Sequence, residues 1–407
     1  MRLTRIKLNS LAVALLLSID ALCYALPGIG IGTFYSIVYV AELICVLLPL
    51  VGLAFTRKTV SLRRKKTAAY YSFLVLCYFA SSILVPNYNY SLIIFLFVFA
   101  FAVVIIQIEF SIEEVLTYML YMSWLVIPCY SSIFAYQWEG LNQASMGSTY
   151  AVFVWITASL LHFIYYRKEH NKLFLICYIP GAIALYGFLQ FANRGAVLAL
   201  FTLIVLIILN KSVELKSGKN LIKKRIFVIT MLVISYAIVI NYDLIFMAVY
   251  DLLDSVLTEM PSFFVKTQRM IEIKDIGNGR DEVYATAING FMNSPILGHG
   301  IESFSVYTIY PYPHNFVLQL LYEGGFLFCI IPVAVIIYAT YKLIFSQIRN
   351  KQLLVSLILL YVQVIPRFIL SASIWREKFF WIFVFYVLAH YIEMKNDEKN
   401  IERKVVN

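Results

Sequence analysis

Apolar runs of about 17–25 residues recur along this chain. As a helix, each run is long enough to cross a hydrocarbon layer of about 30 Å. The runs are continuous and do not alternate, which excludes a β-barrel. Only 14% of the 407 residues are charged, against roughly a quarter in soluble proteins. The expected fold is therefore an all-α polytopic membrane protein. Its spans are expected near 9–26, 34–55, 68–86, 90–107, 115–136, 149–166, 172–189, 195–210, 226–241, 315–341, 352–369 and 378–394, about 12 transmembrane helices in all.

The distribution of basic residues tests that count. With a cytoplasmic N-terminus, the inner segments hold 25 of the 33 Lys and Arg and the outer segments hold 8. This bias follows the positive-inside rule. A missed or invented span would invert everything downstream. Both termini are thus expected in the cytoplasm. The net charge of +10 reads as topology determinants facing anionic lipid, in clusters such as Arg63-Arg64-Lys65-Lys66 and Lys223-Lys224-Arg225, and not as nucleic-acid binding.

The six cysteines, Cys23, Cys45, Cys77, Cys129, Cys177 and Cys329, fall inside apolar segments without paired spacing. Neither a disulfide framework nor a zinc site is expected. The first span follows Arg2, Arg5 and Lys7 but lacks a small-x-small cleavage site, so it reads as a retained signal anchor.

The chain divides into residues 1–241 with nine spans, a large outer loop at 242–313, three spans within 314–394, and a cytoplasmic tail at 395–407. The loop carries nine acidic and four basic side chains. After Gly279, Val283, Ala287 and Phe291 recur at i, i+4 and i+8, a stripe suited to packing on the membrane domain. Pro295 and Gly298-His299-Gly300 close that stretch. A loop of this length is usually functional or a small folded cap.

Three outer residues have the character of chemical groups. Asn193 is a plausible N-cap, which places Arg194 in the first turn of a helix. A cation there opposes the helix dipole unless an anion joins it. Arg280, after Gly277-Asn278-Gly279, repeats the situation, although Asp281 and Glu282 offer local ion pairing on a solvated turn. Helix N-termini with guanidinium groups form a cradle for phosphate or pyrophosphate. His314 follows Pro311-Tyr312-Pro313, and Pro313 suits a first helical position. It is either an ordinary interfacial residue or a general base. Asn315, Gln319 and Glu323 form one polar stripe expected to face protein or a water-filled cavity. Arg367 and Arg376, near the outer ends of the last two spans, either add positive field to the site or act as snorkelling anchors.

His162, His170 and His390 lie toward the inner side, and His299 between glycines shapes a turn. The roles of Asp20 and Glu42, inside early spans, stay open. No Walker-type Gly-Lys-Ser/Thr loop is present, and Gly28-Ile29-Gly30-Ile31-Gly32 is a turn between spans. The outer loops lack an Asp-x-Asp pair for a nucleotide-sugar metal.

Three blocks in order resemble the bacterial O-antigen ligase/polymerase family of membrane glycosyltransferases. They are Asn193-Arg194-Gly195-Ala196, Gly279-Arg280 through Pro295-Ile296-Leu297-Gly298-His299-Gly300, and Pro313-His314-Asn315 through Glu323-Gly324-Gly325. The resemblance covers residues 190–330. Phe328 departs from it, where many relatives carry glycine. The resemblance implies a lipid-dependent glycosyltransferase (GT-C-like) architecture without metal or cofactor, in the bacterial inner membrane with its site on the periplasmic or external face. It also implies undecaprenyl-pyrophosphate-linked glycan as donor and acceptor, with a chain-length regulator left open as a further partner. Arg194, Arg280 and His314 would be catalytic. Asn193, Asn315, Gln319, Arg367 and Arg376 would bind substrate.

The His-Asn block running into an aliphatic helix looks more like polymerases than ligases of lipopolysaccharide biosynthesis. The rival from another class is a flippase or secondary transporter, since twelve spans with both termini inside is a common transporter count. The long loop lies outside and late in the chain, against that reading.

Overall fold

The chain is described by a computed structural model over residues 2–25, 106–125, 146–167, 172–191, 193–211, 242–258, 260–272, 279–370, 373–375 and 377–406, with scattered positions elsewhere. Every regular element among the described residues is helical. The second, third, fourth and ninth expected spans lie largely outside these residues, as do Glu42 and Arg376. Four described segments are long and apolar enough to cross a membrane: Phe174–Phe191, Arg194–Lys211, Phe316–Phe345 and Lys351–Leu370.

The first helix, α1 (Arg2–Ala25), runs beside α2 (Ile112–Ser123). The two are tied near their polar ends, where Asn9 Nδ2 donates to the Glu109 carbonyl at 2.9 Å and the Ser111 amide donates to Ser10 Oγ at 3.0 Å. Ser111 also caps α2, with Glu113 and Glu114 in its first turn, where carboxylates complement the helix dipole. Next come α3 (Met146–Tyr165), a 3-10 turn at Lys172–Tyr178, and α4 (Ile179–Phe191). The span expected at 172–189 therefore begins as a 3-10 segment. A Cβ at Gly181 would lie 2.2 Å from Ser159 Oγ. Only a residue without a side chain lets α4 approach α3 so closely, and such packing drives helix association in lipid.

Helix α5 (Arg194–Lys211) follows, and the long segment at 242–313 contains α6 (Tyr242–Asp254), α7 (Ser262–Glu272), α8 (Arg280–Asn293) and the short α9 (Ser303–Tyr307). Of the stripe expected on α8, Val283 and Ala287 are buried and join Phe304 and Tyr322 in a small apolar cluster, whereas Phe291 is half-buried against Phe326. The chain then forms α10 (Phe316–Phe345), α11 (Lys351–Leu370) and α12 (Lys378–Val406). α12 continues well past 394, so most of the expected tail is a helical extension.

Helix α11 is the axis of the bundle, buried almost continuously from Leu353 to Pro366. Two of its interior polar groups are paired: Gln363 Nε2 donates to Thr157 Oγ1 on α3 at 3.2 Å, and the Tyr361 hydroxyl bonds Thr340 on α10 at 2.9 Å. Such pairing offsets the loss of water in the interior.

Helix α10 is broken. Gly325 has φ +59° and ψ −166°, and Gly324 precedes it. A break inside a span frees backbone groups that need partners, and the turn after α8 supplies them. The amides of His299 and Gly300 donate to the carbonyls of Tyr322 and Glu323, both at 2.9 Å. The amides of Phe326 and Leu327 donate back to Pro295 and Ile296 at 2.9 and 3.2 Å. Cβ atoms at Gly298 or Gly325 would overlap backbone of the other segment, at 2.5 and 2.3 Å. The glycines of two distant blocks are thus required by one close crossing.

Candidate active site

Three helix starts converge on the last residues of α11. Asn193 caps α5, its Oδ1 accepting the Ala196 amide at 2.9 Å, and Arg194 occupies the first turn as expected. Gly195 lets that turn sit against Tyr150 and Leu370, whose atoms would lie 3.0 and 3.4 Å from a Cβ there. Helix α8 opens at Arg280 after Gly279, which has φ +70°. Arg280 donates to the Leu370 carbonyl at 2.6 Å, while Glu282 hydrogen-bonds Tyr310. The guanidinium therefore reaches across to α11, and is not confined to its own turn.

The start of α10 differs from expectation. Asn315, not Pro313, governs it: Asn315 Oδ1 accepts the amides of Val317 and Leu318 at 2.9 and 3.2 Å. The helix begins at Phe316, and His314 stands two residues before it with φ +56°. An asparagine cap satisfies orphan amides that proline leaves untouched, which moves the helix start from Pro313 to Phe316, by three residues. Asn315 Nδ2 also approaches the Ile369 carbonyl at 3.5 Å. The terminal carbonyls of α11 are thus met by side chains from the starts of α8 and α10.

These starts bring together cationic groups and one imidazole. Lys266, on α7, has its ammonium pKa lowered by burial first and then by the charges of Arg194 and Arg280. That places Lys266 within electrostatic reach of both arginines. His314 stacks on Tyr312 with ring centroids 4.4 Å apart. Burial, then the Arg280 charge, pushes its pKa down to about 4. The imidazole is therefore neutral at ordinary pH and can accept a proton. Three helix dipoles and three cations concentrate positive potential there, a setting suited to a doubly charged anion.

The remaining expected residues are placed differently. Gln319 and Glu323 are buried. The Gln319 amide donates to Ser373 Oγ at 3.1 Å and to Glu323 at 3.3 Å, and its oxygen accepts the Ile374 amide at 3.1 Å. Glu323 also accepts from the Trp375 indole. The polar stripe thus binds the strap after α11, where an open cavity was the other expectation. Arg367 forms a two-pronged pair with Glu377 and stacks over Tyr150, 5.1 Å from the ring centroid. Asp20 pairs with Lys378 at 3.0 Å, which gives its span position a structural partner.

Residues 179–333 match the family described as O-antigen ligase. This stretch of the chain resembles the O-antigen ligase/polymerase family. A search of the curated proteins finds no match. The matched region takes in Arg194, Lys266, Arg280, His314 and the break in α10, whereas Arg367, Ser373, Trp375 and Glu377 follow it. Lys266, Trp375 and Glu377 are the contributors that site reasoning from sequence missed. For Lys266 the available signal was its place on an amphipathic stretch of an otherwise acidic loop.

Proposed function

We propose that the protein is a polymerase of undecaprenyl-pyrophosphate-linked repeat units, an inverting glycosyltransferase working on the outer face of the bacterial inner membrane with a GT-C-like arrangement. The observation that carries this reading is the gathering of Arg194, Lys266, Arg280 and a neutral His314 where three helices start. Arg194 and Arg280 hold the pyrophosphate of the donor. The acceptor sugar hydroxyl attacks the anomeric carbon as His314 takes its proton. The bond from that carbon to the phosphate oxygen breaks, and its electron pair leaves with the lipid pyrophosphate. The cations offset charge that grows on this oxygen, an effect worth several kcal/mol when the donors are fixed in advance. A single displacement inverts the anomeric centre. Donor and acceptor are both lipid-linked glycans in this reading, and the protein itself supplies the positive field.

Ligation of the glycan to lipid A–core is the second reading, favoured by the description of the matched family. A deletion strain separates the two. Loss of a polymerase leaves single repeat units on the acceptor, whereas loss of a ligase leaves none. In the complemented strain, His314→Ala and Arg194→Ala insert into the membrane but yield no long-chain polysaccharide on a gel. Normal long chains from either variant would overturn the assignment.

A further inference from the structure

Side chains at the end of α8 and in the turn after it are apolar and exposed: Ile288 at 47%, Met292 at 69%, Ile296 at 69% and Leu297 at 63%. They do not form an isolated patch. The amides of Phe326 and Leu327 bond the carbonyls of Pro295 and Ile296, and the Phe291 ring meets Phe326 edge-on with centroids 5.1 Å apart. Phe326, Leu327, Ile330 and Ile337 are exposed in turn and form the outward side of α10 beyond its break. That segment belongs to a helix apolar enough to cross a membrane. No charged residue occurs in 291–297 or 326–341. The turn is also fixed in shape, since Ser294 Oγ donates to the Gly298 carbonyl at 2.8 Å and Gly298 and Gly325 hold left-handed backbone.

Helix rise sets the height of this elbow. The bond between Thr340 and Tyr361 levels α10 with α11 deep in the bundle, and Asn315 meets Ile369 at the site. From Tyr361 to Ile369, α11 climbs about 12 Å. From Thr340 to Asn315, α10 would climb about 37 Å if it were straight. It cannot, and the break at Gly325 takes up the difference. From Thr340 to Gly325 the climb is about 22 Å, which carries the break at least as far out as Ile369. The break therefore lies no deeper than the end of α11 at the cationic site.

We propose that the elbow Pro295–Leu297, with the last turns of α8, is immersed in the bilayer hydrocarbon, where it continues the lipid-facing side of α10. It fixes the loop at 242–313 against the membrane. The occupant is lipid acyl chain because the apolar side chains Ile296 and Leu297 continue the surface of a spanning helix without a charged residue between them. This inference concerns placement in the bilayer and stands whichever glycan is transferred.

The test replaces Ile296, and in a second variant Leu297, with photoreactive benzoylphenylalanine in the full chain reconstituted in phosphatidylethanolamine/phosphatidylglycerol vesicles. The same replacement of Ile330 serves as the lipid-facing reference, and that of exposed Glu272 as the aqueous one. After irradiation, mass spectrometry of the monodisperse protein should find phospholipid adducts at 296 and 297 comparable with those at 330 and above those at 272. Adduct levels at both positions no higher than at 272, or cross-links to protein in place of lipid, would overturn the proposal.

Discussion

The guanidinium of Arg280 donates to the backbone carbonyl of Leu370 across 2.6 Å. That bond joins the start of α8 to the end of α11, a helix buried from Leu353 to Pro366. It anchors a loop cation to the frame while leaving the other guanidinium donors for a ligand. A lysine could carry the charge but could not serve both partners in this fixed geometry.

Arg280→Lys should therefore retain folding yet lose transfer. The expected loss is about 2–3 kcal/mol of transition-state stabilisation, or roughly 30–150-fold in kcat/KM. Arg280→Ala should also lower thermal stability by about 1–3 kcal/mol, since the Leu370 carbonyl loses its donor. Transfer assays with lipid-linked substrate, beside thermal unfolding in detergent, check both. Full activity in Arg280→Lys would remove the reason for a bifunctional guanidinium.

The pH profile follows from His314. Its folded-state pKa of about 4 lies below its ordinary 6.5, so the basic form is present above pH 4 and lost as pH falls through it. The acid limb of kcat/KM, which reports the free enzyme, should have its midpoint near pH 4. A bound pyrophosphate favours the imidazolium, so the limb of kcat should lie higher. The same shift means the unfolded chain binds more protons between pH 6.5 and 4, and stability should decline across that window. A kcat/KM limb centred at 6.5 or above would contradict a buried, Arg280-facing imidazole.

The glycine crossing makes a graded prediction. Gly325→Ala and Gly298→Ala each combine a left-handed backbone with backbone overlap, and each should reduce stability by more than the roughly 1–2 kcal/mol of left-handed strain alone. Gly279 has φ +70° with open space around it, so Gly279→Ala should cost only that strain. Thermal unfolding of the three variants tests the order. Equal losses would mean the crossing is looser than drawn.

The Arg367–Glu377 pair should behave as a structural unit. In a double-mutant cycle with Arg367→Gln and Glu377→Gln, the coupling should reach about 0.5–3 kcal/mol in unfolding free energy. Transfer per folded molecule should fall far less than in Arg280→Lys. A cycle with no stability coupling, but with activity lost in Arg367→Gln alone, would return Arg367 to the substrate.

What could be read from the sequence was set by locality. Asn193 as a cap and Val283 and Ala287 as a buried stripe depend on neighbours within a turn or two, and both were legible. So was the separation of Arg194, Arg280 and His314 into three blocks, through resemblance. The start of α10 was misjudged because proline at a first helical position and asparagine at a cap compete within two residues, and the asparagine bonds decide. The partners of Gln319, Glu323 and Arg367 were hidden because they come from the strap at 373–377, more than 50 residues from the first two. Gly324-Gly325 entered the sequence reading only as the end of the third block, without the break in α10. That the turn at 295–300 fills it depends on a crossing no local pattern encodes.

Single-turnover transfer from a radiolabelled lipid-pyrophosphate donor to a lipid-linked acceptor, measured with donor binding on the same purified samples, tests the central claim most directly. His314→Asn is the decisive variant, because asparagine tolerates the left-handed backbone but cannot act as the base. The account predicts donor binding close to that of the unsubstituted protein, with transfer reduced about 10²–10⁴-fold. Arg194→Ala should weaken donor binding itself. Transfer at the unsubstituted rate in His314→Asn would contradict the account.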